Sequence, residues 1–115
     1  MKFTDTLKKN HEFRRLYSKG GSAAMPNLVV YARKTKRDRN RVGITVSTKV
    51  GKAVTRNRVR RRLREIYRLH EQEFKRGLEI VIVARVRAAA APYRVLERDF
   101  LKACRRLELM QGEEA

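Results

Sequence analysis

Cysteine, tryptophan and long apolar runs are scarce or missing in this chain, and each shortage excludes a class of protein. A single cysteine, Cys104, cannot form an internal disulfide or a zinc site built from several cysteines. No segment approaches the ~18 consecutive apolar residues of a membrane-spanning helix, and no tryptophan is present to anchor an interfacial helix. The first residues also lack the apolar core of a signal peptide. These shortages predict a protein of the cytoplasm without a membrane partner.

Acidic residues are also few, and the imbalance points to a negatively charged partner. Thirty Lys and Arg against twelve Asp and Glu give a net charge of +18. Such a charge repels itself in a small free protein, whereas it favours a complex with a polyanion such as nucleic acid. The 115 residues, 42% of them apolar, are enough for one hydrophobic core. We therefore predict one nucleic-acid-binding domain, residues 1–115, with an ordered core at about 7–108 and a frayed acidic tail at 111–115.

Groups that catalyse hydrolysis are sparse and scattered in the sequence. The chain has two histidines, His11 and His70, and neither has a nucleophile or an obvious partner nearby in sequence, whereas a ribonuclease that works without metal commonly needs two acid/base groups. The carboxylates show no D-x-D or E-x-x-H spacing of a metal centre, and no glycine-rich phosphate loop is present. We therefore predict no catalytic residue, no metal site, no cofactor and no small-molecule substrate for the chain itself. We interpret His70 as a packed core residue.

Hydrophobic spacing predicts seven elements in the order α-β-β-β-α-β-α. The segments are, in order, helix Asn10–Ser18, an extended piece at Ala23–Met25, strands around Leu28–Ala32 and Arg41–Ser47, helix Thr55–Lys75, strand Leu78–Ala84 and a helix from Pro92. We expect the strands around Leu28–Ala32 and Arg41–Ser47 to be antiparallel neighbours. The predicted fold class is α+β, a single-domain α-β sandwich with a central sheet packed on helices.

The long helix is predicted to have an apolar side and a cationic side. On a wheel of about 100° per residue, six residues form the buried side: Val59, Leu63, Ile66, Tyr67, His70 and Phe74. Five residues share the exposed side: Asn57, Arg60, Arg61, Arg64 and Arg68. A face made for solubility would alternate Glu with Arg, whereas this stripe, about 17 Å long, suits several successive phosphates. Charge and spacing predict nucleic-acid binding but do not distinguish RNA from DNA as the ligand.

A motif at the start of this helix resembles a known family. The segment Arg41–Glu65, with Lys49-Val-Gly-Lys-Ala-Val-Thr-Arg-Asn-Arg58 at its centre, resembles the signature of the bacterial ribonuclease P protein component. Residues 7–20 are similar to the first helix of that family, and Leu28-Val-Val-Tyr31 to its next strand. One position departs from the pattern, because Thr48 stands where the family carries a second lysine.

The resemblance implies a subunit of an RNA-based endonuclease. In that family a large RNA, which requires Mg²⁺, carries the metal-assisted hydrolysis that removes the 5′ leader from precursor tRNA. The protein binds this RNA through the long helix and holds the single-stranded leader in a cleft between the first helix and the sheet. The family fold also includes a left-handed crossover around the long helix, against the usual right-handed rule. A structural protein that binds ribosomal RNA is the alternative that charge and size leave open.

Two sets of side chains are assigned to these roles. Ribonuclease P RNA is expected to contact Lys49, Lys52, Arg56, Asn57, Arg58, Arg60, Arg61, Arg64 and Arg68. The leader is expected to contact Phe13, Tyr17 and Tyr31, because aromatic faces stack on unpaired bases; for Phe13 a core position is an equally good interpretation. The two arginines of the Arg-Asn-Arg triplet fall on different sides of the helical wheel. The triplet therefore cannot meet one RNA strand with all three side chains in the same way.

Overall fold

A computed structural model of the chain describes residues 1–112 as a five-stranded sheet with three helices. The elements are β1 (Thr4–Thr6), α1 (Asn10–Lys19), β2 (Gly21–Ala24), β3 (Leu28–Lys34), β4 (Asn40–Thr45), α2 (Ala53–His70), β5 (Leu78–Ala84) and α3 (Tyr93–Arg106). The predicted fold class, α+β with a sheet packed on helices, is confirmed. Of the predicted tail 111–115, residues 113–115 lie outside the described residues, and Gln111 donates hydrogen bonds to the carbonyl groups of Glu73 and Phe74.

Strand β5 lies in the middle of the sheet, between two strands that precede it in sequence. The strand order is β1-β4-β5-β3-β2, with β5 parallel to β4 and antiparallel to β3. The expectation that β3 and β4 are neighbours is therefore wrong, although they run in opposite directions. The reason is hydrophobicity, because Ile80, Val81 and Ile82 are all fully buried and a central strand covers both sides of such a run. Since β4 and β5 are parallel, a crossover joins them, and α2 supplies it.

Helices cover the two faces of the sheet unequally. Helices α2 and α3 pack on one face over the main core, where the rings of Tyr67, Phe74 and Phe100 lie 5.0 to 6.5 Å apart between centroids. Helix α1 packs on the other face, where Leu16 belongs to a smaller cluster with Val81. That second face stays open on both flanks of α1, and each opening forms a groove.

Helix α2 differs from the predicted helix at both ends. It begins at Ala53 and ends at His70, after which a short 3-10 turn leads to Phe74, which is extended and pairs with Met110. Phe74 is fully buried as expected, but it enters the core from outside the helix. His70 is not a core residue, because its side chain is 20% exposed. Its ring nitrogens lie 2.5 Å from a Glu73 oxygen and 2.9 Å from a Glu97 oxygen. Burial opposes the charge on the ring, but the two carboxylates outweigh it and raise the pKa of His70.

Strand β1 has no counterpart among the predicted elements, because three residues, Thr-Asp-Thr, are too few and too polar for a strand pattern. It pairs in parallel with β4 at the edge of the sheet. The buried carboxylate of Glu71 accepts hydrogen bonds from the backbone N–H groups of Lys2 and Phe3 and from the Thr4 hydroxyl, at 2.6 to 3.2 Å. Burial opposes ionisation of Glu71, but these hydrogen bonds outweigh it and lower the pKa of the carboxyl. One carboxylate thus ties the N-terminal strand to the end of α2.

Candidate nucleic-acid interface

Helix α2 is seated on the core by its apolar side, as predicted. Val59, Leu63 and Ile66 are at most 1% exposed. The predicted polar side faces away from the core and consists of Asn57, Arg60, Arg61, Arg64 and Arg68, all exposed except the half-buried Arg60. Lys49 and Lys52 are exposed in the loop that precedes the helix. The helix and its loop therefore present a cationic ridge to solvent.

The Arg-Asn-Arg triplet sends its three side chains in three directions. Arg56 donates from Nε to the Gly51 carbonyl at 3.1 Å, which fastens the loop to the first turn of α2. Arg58 donates to the Ala89 carbonyl at 3.2 Å, on the side of the helix that faces the 3-10 turn at 86–89. The Asn57 carboxamide oxygen accepts a hydrogen bond from Arg60. Two of the three side chains thus also hold the local backbone, although each guanidinium keeps further donors for a ligand.

The two flanks of α2 have different neighbours. On one flank Arg62, which sequence reasoning did not single out, lies with Arg58 over the chain that leads into α3, and its guanidinium is 3.5 Å from the Ala91 carbonyl. On the other flank Arg60 and Arg64 border a small cleft of about 100 Å³ beside β1 and β4. An Arg at 58 or 62 therefore fastens the fold as well as adding charge, whereas Arg64 has no such internal contact among the described residues.

The exposed arginines of α2 are not equally available to a ligand. Arg68 is paired with the Glu65 carboxylate one turn earlier, at 2.8 Å from Nε. Within residues 1–112, Arg61 and Arg64 have no carboxylate partner. An anion that approaches Arg68 must compete with Glu65, so the charge of the ridge is concentrated towards the N-terminal half of the helix.

An open groove lies on the flank of α1 that faces the C-terminal end of β4. This aromatic groove, of about 580 Å³, is lined by Asn10, Phe13, Arg14, Tyr17 and Thr45. The rings of Tyr17 and Tyr31 meet edge to face, with centroids 4.9 Å apart and planes at 76°. Tyr17 is 40% exposed, and its hydroxyl lies 3.4 Å from that of Thr45. The structure thus brings two of the predicted leader-binding rings into direct contact beside the groove.

Phe13 lies both at the edge of the core and in the aromatic groove, the two positions that the sequence left open. Its ring is half-buried and packs against the cluster of Leu16 and Val81, while it also lines the aromatic groove. The ring lies directly on Gly43 of β4, where an added Cβ would come within 2.6 Å of Cζ. A glycine inside a strand is a known sign of such a close approach, so Gly43 was the signal in the sequence for this contact.

Three polar liners of the aromatic groove were missed by sequence reasoning. Asn10 and Arg14 share one face of α1 with Phe13 and Tyr17, at the helical spacing i, i+3, i+4 and i+7. That spacing could have identified them. Thr45 could not have been found in this way, because its place beside Tyr17 depends on where α1 crosses the sheet.

The two histidines lie outside the aromatic groove and outside the exposed side of α2. Within residues 1–112, no three His, Cys, Asp or Glu side chains come close enough together to hold a metal ion. His11 is exposed on α1, and His70 lies between two carboxylates at the far end of α2. Among the helices of residues 1–112, none combines the length and the apolar content of a membrane-spanning segment. The arrangement is suited to hold phosphates on the ridge and unpaired bases in the groove.

The sequence is similar to one family over nearly its whole length. The family profile described as Ribonuclease P matches residues 1–108. The ribonuclease P protein component of Clostridioides difficile is 44% identical over 107 residues, which cover 92% of this chain and 94% of that protein. The same component of Natranaerobius thermophilus is 41% identical over 106 residues, which cover 92% of each chain.

Solved structures give the same result for the fold. The RNase P protein of Staphylococcus aureus superposes with a TM-score of 0.85 at 32% identity, over 92% of this chain and 97% of that one. The RNase P protein of Thermotoga maritima superposes with a TM-score of 0.77 at 28% identity, over 85% of this chain and 93% of that one. The similarity of fold therefore extends over most of each chain.

Proposed function

Because this chain belongs to the ribonuclease P family, as a protein subunit of an enzyme whose catalysis resides in its RNA, we propose that two of its surfaces divide the work of tRNA maturation. Helix α2 and the loop before it bind ribonuclease P RNA. The aromatic groove holds the single-stranded 5′ leader of precursor tRNA. Family membership also favours this function over that of a structural ribosomal protein.

The joint position of the two surfaces is the observation that supports this proposal. Thr45, the last residue of β4, lies beside the Tyr17 hydroxyl in the aromatic groove. The chain then runs through residues 46–52, which include Lys49, directly into the first turn of α2. One short stretch of backbone therefore joins the groove to the cationic ridge. A protein built in this way is able to contact a leader and a larger RNA at the same time.

The groove suits unpaired bases better than a folded duplex. Tyr17 exposes ring surface in an open channel on one flank of a helix, and the half-buried ring of Tyr31 supports it edge to face. Stacking of a base on an aromatic ring is worth about 1–3 kcal/mol and depends little on sequence. Asn10 and Arg14 add hydrogen-bond donors along the same channel, which favours binding of the leader through both its bases and its phosphates.

The ridge suits a highly charged RNA. Lys49, Lys52, Arg61 and Arg64 are exposed, and no salt bridge within residues 1–112 involves them. Each phosphate that such a cation neutralises releases counterions, so binding weakens steeply with salt. The free N–H groups at the start of α2 offer a further anion site next to Lys52.

The chemistry of the reaction belongs to the RNA, and the protein's part is to bind and position. We expect Mg²⁺ held by the RNA to activate the attacking water and stabilise the leaving oxygen. The protein needs no cofactor of its own in this proposal, and it works in the cytoplasm together with the RNA. Purified protein without the RNA is therefore expected to leave precursor tRNA uncut.

The experiment that tests the leader contact is a binding titration with the reconstituted holoenzyme. Tyr17→Ala is expected to weaken binding of leader-bearing precursor tRNA by about 1–3 kcal/mol, because one stacking surface is lost, while binding of mature tRNA stays unchanged. Val86→Ala is the matched control, since Val86 is an exposed apolar residue outside α2 and outside the aromatic groove. Equal losses for precursor and mature tRNA in the Tyr17→Ala enzyme would contradict the proposal.

A further inference from the structure

We propose that this protein has a third RNA-binding surface, a basic groove on the opposite flank of α1 from the aromatic groove. The basic groove has a volume of about 500 Å³ and is lined by Lys9, His11, Glu12, Arg15, Arg33, Thr35, Lys36, Arg37, Arg41 and Glu79. It goes beyond the two contacts proposed above, because none of these residues belongs to α2 or to the aromatic groove. Its ligand is the phosphodiester backbone of RNA.

Helix α1 crosses the face of the sheet and separates the two grooves. Leu16 is fully buried beneath the helix. On a helical wheel of about 100° per residue, Phe13 and Tyr17 fall on one side of Leu16, and Glu12 and Arg15 fall on the other. The lining residues agree with this division, because the first pair borders the aromatic groove and the second pair borders the basic groove.

The basic groove carries a strong excess of positive charge. Six of its lining side chains are Lys or Arg and two are Glu, so it has four more positive than negative charges before His11 is counted. The carboxylates are committed to two arginines at the bottom of the groove: Glu79 accepts from Arg33 at 2.7 Å, and Glu12 pairs with Arg41.

The four remaining cations lie around the rim of the basic groove. Lys9, Arg15, Lys36 and Arg37 are all exposed, and no salt bridge within residues 1–112 neutralises any of them. They come from two separate parts of the chain, the region of α1 and the turn after β3. Cations from distant segments repel one another across a concave surface, and that repulsion falls when a polyanion occupies the groove.

Buried ion pairs form the bottom of the basic groove. Glu79 and Glu12 are 4% and 6% exposed, and a second oxygen of Glu79 lies 3.6 Å from Arg41. Two buried carboxylates therefore hold two guanidinium groups in place between α1 and the sheet. Arg33 keeps 30% of its side chain exposed, so its planar fork is available to phosphate oxygens, which it matches in geometry.

The position of the basic groove indicates how RNA reaches it. Arg14 lines the aromatic groove, whereas its neighbour Arg15 lines the basic groove. A strand that leaves the aromatic groove over α1 therefore passes from Arg14 to Arg15. The phosphates have two possible sources, which are the upstream nucleotides of the leader and the ribonuclease P RNA itself.

The test uses the holoenzyme and two variants of equal net charge. Arg15→Gln/Lys36→Gln/Arg37→Gln removes three rim cations. Arg94→Gln/Lys102→Gln/Arg105→Gln removes three exposed cations from α3 and controls for the general loss of charge. The rim side chains are exposed and make no side-chain hydrogen bond among the described residues, so the thermal melting of the two variants is expected to be the same.

Two binding measurements separate the sources of the phosphates. One is the affinity of the protein for ribonuclease P RNA, and the other is the affinity of the holoenzyme for precursor tRNA with a short or an extended leader. The rim variant is expected to bind at least one partner about tenfold more weakly than the α3 variant does, with a smaller log–log salt slope. A loss confined to the extended leader identifies the leader as the source, and a loss confined to the RNA identifies the RNA.

One result would overturn the inference, namely equal affinities of the rim and α3 variants for both partners. That result would leave the proposed function standing, because Tyr17 and α2 are intact in both variants. Conversely, a failure of the Tyr17→Ala test would leave the basic groove untouched. The two proposals are therefore distinguishable by experiment.

Discussion

Helix α2 presents its cations on a convex ridge, whereas the aromatic groove presents its rings from two elements that meet at an angle. Val59, Leu63 and Ile66 hold the ridge from one side of a single helix, and the exposed side chains themselves need few contacts. In the groove, Tyr17 from α1 lies against Tyr31 from β3, with ring centroids 4.9 Å apart. The ridge therefore depends on local sequence, and the groove depends on how α1 is placed on the sheet.

The ridge and the aromatic groove are expected to respond differently to amino-acid substitution. The positive charge of the ridge is shared among several side chains. Loss of one cation therefore lowers the affinity for RNA only in part, and salt screens the remaining attraction. Contacts in the groove are short and specific, so a displacement of one ring changes the shape of the site. Substitutions on the ridge should alter the salt dependence of binding, and substitutions at the groove should alter the preference for a leader.

The largest expected effect is on the ridge. In Arg61→Gln/Arg64→Gln two exposed cations without a carboxylate partner among residues 1–112 are lost. We expect the affinity for ribonuclease P RNA to fall by about a hundredfold at moderate salt, with the log–log salt slope reduced by about 2. A filter-binding titration at several salt concentrations measures both. Arg94→Gln/Lys102→Gln on α3 is the matched control, and a slope equal to that of the control would place Arg61 and Arg64 off the RNA.

The next effect is expected at the groove. In Gly43→Ala the new methyl group would lie 2.6 Å from Cζ of Phe13, so the ring must move away from β4. Such overpacking costs about 1–3 kcal/mol of folding stability, and the displaced ring changes the shape of the groove that it lines. We expect weaker binding of leader-bearing precursor tRNA with an unchanged salt slope for ribonuclease P RNA. Calorimetric unfolding together with both titrations tests this; a changed salt slope would show that the two surfaces are not independent.

The smallest effect on RNA binding is expected at the edge strand beside the ridge, where the change is one of folding stability. Glu71→Gln weakens the hydrogen bonds to Lys2, Phe3 and Thr4 and should lower the free energy of unfolding at neutral pH by about 1–3 kcal/mol. The folded-state pKa of Glu71 lies below its usual value. Its contribution to stability is therefore complete above the unfolded pKa of about 4.3 and is lost as the pH falls through the lower folded pKa.

Thermal melts of the Glu71 variant at neutral and acidic pH measure this contribution. The difference in stability between wild type and Glu71→Gln is expected to shrink as the pH falls. Asp38→Asn is the control, because the Asp38 side chain is 87% exposed and its pairing with Arg76 is long. A difference that does not change with pH would show that Glu71 acts through packing and not through its charge.

Much of the ridge could be predicted from the sequence because its features are periodic. Val59, Leu63 and Ile66 recur at helical spacing and are buried, and Arg61 and Arg64 between them fall on the exposed side for the same reason. The C-terminal end of α2 was harder to predict. Phe74 continues the same periodicity, yet the chain leaves the helix after His70, because Phe74 pairs with Met110, a residue far away in sequence.

The groove could be predicted less well because it has no periodic signal of its own. The spacing of Phe13 and Tyr17 on α1 is visible in the sequence, but their partners Tyr31, Gly43 and Thr45 come from two separate strands. The wrong pairing of β3 with β4 has the same origin. Short-range patterns favour the pairing of strands that follow each other in sequence. Strand β5 is apolar on both faces, and it buries more apolar surface when it lies between β3 and β4.

The sequence by itself determined the excess of positive charge, the amphipathic ridge of α2 and the resemblance to its family, because composition and local spacing do not depend on distant contacts. The tertiary structure decided that β5 is central, that β1 exists and that α1 divides one sheet face into an aromatic groove and a basic groove. These features depend on the free energy of burying apolar surface between segments far apart in the chain. Such contacts form only when the whole core is assembled.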